Sequence, residues 1–346
     1  MSGQTLAVTV RIADADWLGL ALLLAIGFAI AWCAGVLYAR SALRNPPRRT
    51  YGTAVARNQP GAPDELDSAR FGVGPRAFTE WSLERPSGRG HLPVWDIPGD
   101  NPAGPTVILT HGWGDGRLGG LLRLEPFVPA ASRVLLWDLP GHGDAPPGAG
   151  PCRLGCDEAA DLSALIEKTD GAVVLFGWSL GAGVSIVAGG HPRVIGVATE
   201  APYTLPQVPA SRVMSARGLP GLGMLRVALT SIGGAAWQQV GGPFDRAVHA
   251  ARLNVPVLVL HGEEDPVCPI EGGRVIAASA PHGEAVSLPG ARHNDLWINP
   301  AYRSACSSAL TQWLARLAQP ERLAAPVRHA AATVSGPTPE HRSQTP

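Results

Sequence analysis

Apolar positions fall into three regimes along the chain. From Leu18 to Ala39 no charge interrupts a run of 22 residues. At about 1.5 Å per residue this run spans roughly 33 Å, enough to cross the hydrocarbon core of a bilayer. It is apolar on every face, which predicts a membrane-spanning helix over about residues 17–39 rather than a core helix. Residues 45–75 lose this pattern and are rich in Pro, Gly, Arg and Asp, so they read as a linker. From residue 76 to about 318 short apolar runs alternate with helical stretches, marking a single large domain.

Within that domain, strands are predicted at 77–84, 92–97, 106–110, 133–137, 173–176, 194–198, 257–260 and 285–288. Helical stretches lie near 117–130, 157–168, 180–190, 270–280 and 300–317. Apolar strands alternating with helices predict an α/β architecture, a mostly parallel, doubly wound sheet covered on both faces. Chemistry in such a sheet sits outside the carboxyl ends of the strands. The interval 203–253 is too long for an ordinary connection and holds Met214, Met224, Leu225, Leu229 and Trp237. It reads as a small helical cap over the strand ends. Residues 319–346 lack period and read as a disordered tail.

Charge adds orientation and removes one class of partner. Asp14 and Asp16 precede the apolar run, whereas Arg40, Arg44, Arg48 and Arg49 follow it. A cleavable signal peptide has the opposite polarity, and the positive-inside rule puts the catalytic domain in the cytoplasm of a single-pass membrane protein. Trp17, Trp32 and Tyr38 sit near the ends of the run, where amphipathic rings prefer the interface. The formal net charge is zero, with 45% hydrophobic and 16% charged residues. That balance supports a sizeable core and gives nucleic acid no basic surface. The five cysteines form neither a disulfide framework nor a zinc pattern, and Cys152 and Cys156 read as loop thiols. Oligomeric state is not legible.

The chemistry begins at Gly177-Trp178-Ser179-Leu180-Gly181, between a strand and a helical segment. This is the context of a nucleophile elbow, where small residues let strand and helix approach and the serine projects above the sheet. A serine hydroxyl needs a base, and the base an orienting acid. Downstream, Glu263-Glu264-Asp265-Pro266 follows one strand and His293 follows the next, in the chain order Ser, acid, His. The residues alone leave Glu263 and Glu264 as rivals to Asp265, with Glu200 behind them, although a proline after Asp265 suits a tight loop. Oxyanion donors are expected from the backbone N–H of Leu180 and, in the His111-Gly112-Trp113 loop, of Trp113. His111 is read as a brace for that loop. No metal or organic cofactor is called for.

Together with Asp138-Leu139-Pro140-Gly141-His142-Gly143 and Gly290-Ala291-Arg292-His293-Asn294-Asp295, these segments resemble the α/β-hydrolase superfamily over about residues 77–317. The likeness is greatest to serine aminopeptidase-like or monoacylglycerol-lipase-like hydrolases. It implies Ser179 as nucleophile, Asp265 as acid and His293 as base, with Trp113 and Leu180 as oxyanion donors. The substrate is read from elsewhere: the interval 203–253 is apolar, with Asp245 its only carboxylate, and the anchor holds the site near a bilayer, so a small-molecule, uncharged, acyl-lipid-like ester of medium or long chain is expected. A peptidase, amidase or acyltransferase on the same triad, and an inactive membrane-tethered binding module, are the competing expectations.

Overall fold

A computed structural model describes residues 15–218 and 222–319; the expected tail from residue 320 onward lies outside these. Eight strands form one sheet: β1 (Thr79–Glu84), β2 (His91–Pro98), β3 (Thr106–Thr110), β4 (Arg133–Trp137), β5 (Val173–Trp178), β6 (Val194–Glu200), β7 (Val257–Gly262) and β8 (Gly283–Leu288). Their order is β1-β2-β4-β3-β5-β6-β7-β8. The pairs β1–β2 and β2–β4 are antiparallel, and all others are parallel. The expected mostly parallel sheet is therefore present.

The side-chain period of two explains the two-sided core. In β3, Ile108 points into one buried cluster, whereas Val107 and Leu109 point into the other. β5 divides in the same way: Leu175 joins Ile108, while Val174 and Phe176 join Val107. A strand buried on both faces has to read as a continuous apolar run.

The helices are α1 (Ala15–Arg44), α2 (Tyr51–Ala56), α3 (Ser68–Phe71), α4 (Arg117–Gly120), α5 (Glu158–Glu167), α6 (Leu180–Ala188), α7 (Gln207–Ala216), α8 (Leu222–Gly233), α9 (Arg246–Ala250), α10 (Ile270–Ser279) and α11 (Pro300–Leu317). The stretch expected as one helix over 117–130 is instead α4, a 3₁₀ turn at Leu121–Arg123 and further turns. Gly119 and Gly120 disfavour a continued helix. They also permit a close approach, because a Cβ on Gly120 would lie 2.6 Å from Leu136.

Residues 45–75, expected as a linker, are partly folded. They form α2, α3 and a 3₁₀ turn, and Ala54, Leu66 and Val73 are buried. Their order comes from contacts with the domain rather than from a local period.

The N-terminal helix α1 has two different halves. Leu18, Leu22, Leu23, Phe28 and Ile30 are exposed, and mean hydropathy over its most apolar window reaches 2.5. Its C-terminal third is built into the domain. The Leu43 side chain is buried, its carbonyl accepts from Trp113 Nε1 at 2.9 Å, and the Arg44 carbonyl accepts from Cys152 N–H at 2.9 Å. Midway along, α1 packs on α8, within the interval 203–253: a Cβ on Gly35 would lie 2.4 Å from Met224 Sδ, and one on Gly223 2.8 Å from Trp32. A domain boundary at residue 44 would thus fall inside a docked segment.

Candidate active site

Ser179 follows β5 and caps the N-terminus of α6, with φ 52° and ψ −112°. A non-glycine residue at positive φ costs on the order of 1–3 kcal/mol, so the surroundings must impose it. They do so from both sides. Ser179 N–H donates to the Glu200 carbonyl on the neighbouring strand at 2.9 Å. Gly177 and Gly181 allow α6 to close on the sheet: a Cβ on Gly177 would lie 2.2 Å from the Gly181 carbonyl oxygen, and one on Gly181 1.9 Å from that of Thr110. No larger residue fits either place without backbone movement.

The loops after β7 and β8 bring the expected acid and base together. His293 Nδ1 stands 2.6 Å from Asp265 Oδ2. Asp265 Oδ1 accepts from the backbone N–H groups of Val267 and Cys268, both at 2.8 Å. Burial pushes the Asp265 carboxyl up, but the nearby His261 ring, 3.6 Å away, and hydrogen bonds with His293 and the backbone outweigh it and hold the group well below the usual carboxylate range. With Nδ1 engaged by a charged carboxylate, Nε2 is the His293 nitrogen left for other chemistry, and His293 and Ser179 line one cavity.

The rival carboxylates are placed elsewhere. Glu263 and Glu264 are exposed. Glu200 is buried and takes a fork from Arg123, at 2.7 and 2.8 Å, and the Trp297 indole N–H at 2.8 Å.

The loop after β3 lies against Ser179. A Cβ on Gly112 would lie 3.3 Å from Ser179 Cβ and 3.1 Å from Trp178. The backbone N–H groups of Trp113 and Leu180 have no acceptor among the described residues. Both residues line the same cavity as Ser179 and His293. Two free N–H groups beside a nucleophile are what a developing oxyanion requires. His111 is fully buried; its Nδ1 pairs with the Gly112 carbonyl at 2.8 Å and its Nε2 accepts from Leu139 N–H at 2.9 Å. Both nitrogens hold backbone, as a brace does.

The cavity has a volume of about 230 Å³. Its apolar wall comes from the domain (Leu154, Val267), from the interval 203–253 (Tyr203, Ala210, Val213) and from Leu43 of α1. One carboxylate lines it as well: Asp115, bonded to Arg49 at 2.8 Å and to Trp178 Nε1 at 3.1 Å. Desolvation pushes the Asp115 carboxyl up, but Arg49, Arg123 and His111 reverse this and keep it below the ordinary value.

Sequence reasoning missed the Arg123–Glu200–Trp297 network, the Arg49–Asp115 pair and Leu43. A lone arginine and a lone glutamate among apolar residues were the available signal for the first, because buried charges need partners. Asp265, Cys268 and His293 bring three ligand-type atoms within 4.8 Å of one another. They suit a metal poorly: Asp265 and His293 are committed to each other, and burial pushes the Cys268 thiol up, away from the thiolate a metal binds.

Comparison with known proteins bears on the family and the fold. A family model described as the alpha/beta hydrolase family matches residues 107–305. The pimeloyl-(acyl-carrier protein) methyl ester esterase of Aromatoleum aromaticum is 42% identical over 94 residues, which is 26% of this chain and 34% of that protein. The enzyme of the same name from Chromobacterium violaceum is 31% identical over 231 residues, 55% of this chain and 87% of that protein. The chain thus spans about a third of the first relative and most of the second. Among solved structures, a Pyrococcus furiosus esterase superposes with a TM-score of 0.57 at 16% identity, covering 80% of this chain and 98% of its own. A Thermogutta terrifontis esterase gives 0.53 at 20% identity, covering 69% and 99%. Sheet order, elbow and matched segment agree: the chain belongs to the alpha/beta hydrolase family.

Proposed function

We propose that this protein is a membrane-anchored serine esterase that cleaves uncharged acyl esters through an acyl-enzyme. The observation that carries the reading is the convergence of a strained Ser179, the His293–Asp265 pair and two free N–H groups on one cavity. Ser179 Oγ attacks the ester carbonyl while His293 Nε2 takes its proton. Asp265 fixes the imidazole tautomer and stabilises the imidazolium. The N–H groups of Leu180 and Trp113 hold the oxyanion. His293 then returns the proton to the leaving alcohol, and water repeats the sequence to release the acid.

The wall chemistry supports an apolar acyl group, and Asp115 does not oppose this because its charge is matched by Arg49. The two relatives are named for a methyl ester of an acyl chain, that is, a small alcohol on an extended acid. A cavity of about 230 Å³ lies just below the range of about 300–1,000 Å³ usual for sites enclosing larger ligands, which favours medium over long acyl chains. The exposed apolar half of α1 supports insertion in a bilayer, and Leu43 then ties the acyl pocket to the foot of the anchor.

The test is a p-nitrophenyl ester series from two to sixteen carbons, assayed with the full chain in detergent micelles. The proposal expects kcat/KM to climb from two carbons to a maximum at about six to ten, since each buried methylene contributes about 0.8 kcal/mol. A steady fall beyond about four carbons would leave a short-chain esterase and refute the acyl-lipid reading.

A further inference from the structure

A second cavity, of about 520 Å³, opens beside the foot of α1. One wall is α1 and the segment that follows it, with Leu37, Arg40, Arg44 and Arg48; the other is the loop after β4, with Gly141 and Pro147. No carboxylate lines it. Arg44 Nε is buried and has no hydrogen-bond partner among the described residues. Arg40, Arg89 and Arg153 all lie close enough to repel Arg44, and of these Arg153 has its own partner in Asp157 at 3.1 Å. Arg48 braces the opposite wall by donating to the Ala145 carbonyl at 2.6 Å and the Gly143 carbonyl at 3.2 Å.

Such a cluster is unfavourable until an anion enters it. The negative end of the α1 dipole opposes an anion, but its carbonyls are partly satisfied: those of Ser41 and Arg44 accept from Asn45 and Cys152 N–H, each at 2.9 Å. The rim specifies the anion further. Leu37 is 63% exposed at one edge of the cavity, next to Tyr38, so the arginines begin where the apolar helix surface ends. That boundary is where headgroups meet hydrocarbon in a bilayer.

We propose that this cavity binds the phosphate of an anionic phospholipid, with Arg40 and Arg44 on the phosphate and Leu37 against the first methylenes of the lipid. The proposal rests on the reading of α1 as a membrane anchor. Because Leu43 and the Arg44 carbonyl are docked in the domain beside this cavity, a bound lipid also braces the wall of the acyl pocket.

The experiment uses the full chain in neutral detergent micelles and three probes: dioctanoyl phosphatidylglycerol, dioctanoyl phosphatidylcholine and inorganic phosphate. Retention is read by native mass spectrometry and by the thermal midpoint. Phosphatidylglycerol should be retained and raise the midpoint, phosphatidylcholine should do neither, and inorganic phosphate should bind at least about tenfold more weakly. Arg40→Gln/Arg44→Gln should weaken phosphatidylglycerol by about tenfold or more, while the exposed Arg252→Gln should change nothing. The single Arg40→Gln serves if the double variant loses its fold. Unchanged affinity in these variants overturns the site, and equal binding of inorganic phosphate overturns the lipid as its occupant. Flotation of the full chain with phosphatidylcholine vesicles, without detergent, tests the anchor separately. Failure to float sinks the anchor, and the micelle data still decide whether the cavity takes an anion.

Discussion

At the residue scale, the site depends on groups whose charge is fixed by what surrounds them. Asp265 is buried yet ionised because three donors, the N–H groups of Val267 and Cys268 and the His293 ring, face its two oxygens. Asp265→Asn should therefore lower kcat/KM by about 10³–10⁴-fold, since an amide neither fixes the tautomer nor stabilises the imidazolium. Glu263→Gln and Glu264→Gln should stay within about twofold of the parent, as expected for exposed groups without a role. A severe effect in either Glu variant, measured by steady-state kinetics, would move the acid. His142 makes a different prediction. It is buried against His111 with Nε2 unpartnered, and burial pulls its imidazole down to about 3. An unfolded chain takes up a proton there near its ordinary value of about 6.5, whereas the folded chain does not. Stability should accordingly fall as pH drops from about 6.5 towards 3, by up to about 1.4 kcal/mol per pH unit from this residue. Urea unfolding of His142→Gln between pH 7 and pH 5 should show a slope shallower by about one proton; an unchanged slope would mean that His142 does not carry it.

At the element scale, tight packing sets what each position tolerates. Gly181→Ala forces a Cβ onto the Thr110 carbonyl. It should cost about 1–3 kcal/mol in stability and displace Ser179, with activity falling at least tenfold. Gly190→Ala, with open space around it, should be close to neutral. Equal effects of the two, by thermal melts and ester turnover, would contradict the steric account. The same packing explains what the sequence made legible. β3 and β4 were readable to the residue because both faces are buried and the apolar run has no gap. The elbow was readable because its glycines are required by geometry at fixed spacing. The segment 45–75 was not readable, since Ala54, Leu66 and Val73 are isolated apolar residues whose burial depends on a surface distant in sequence. The helix over 117–130 was overstated because Leu118, Leu121 and Leu122 suggested a period that Gly119 and Gly120 interrupt.

At the scale of the whole molecule, the N-terminal helix, the interval 203–253 and the α/β domain meet around one cavity. The α1 helix contributes Leu43 to the wall of that cavity, packs Gly35 against Met224 of α8, and gives its last carbonyl to Cys152. Composition alone showed a long apolar helix and an apolar interval; that they touch each other and the site follows only from the tertiary structure. Intact-protein mass spectrometry after treatment with a fluorophosphonate tests the proposed activated serine most directly. A single adduct mapping to Ser179 is expected, absent in Ser179→Ala and slowed by about 10³-fold or more in His293→Ala. Adduct formation at another residue, or full ester turnover by Ser179→Ala, would contradict it.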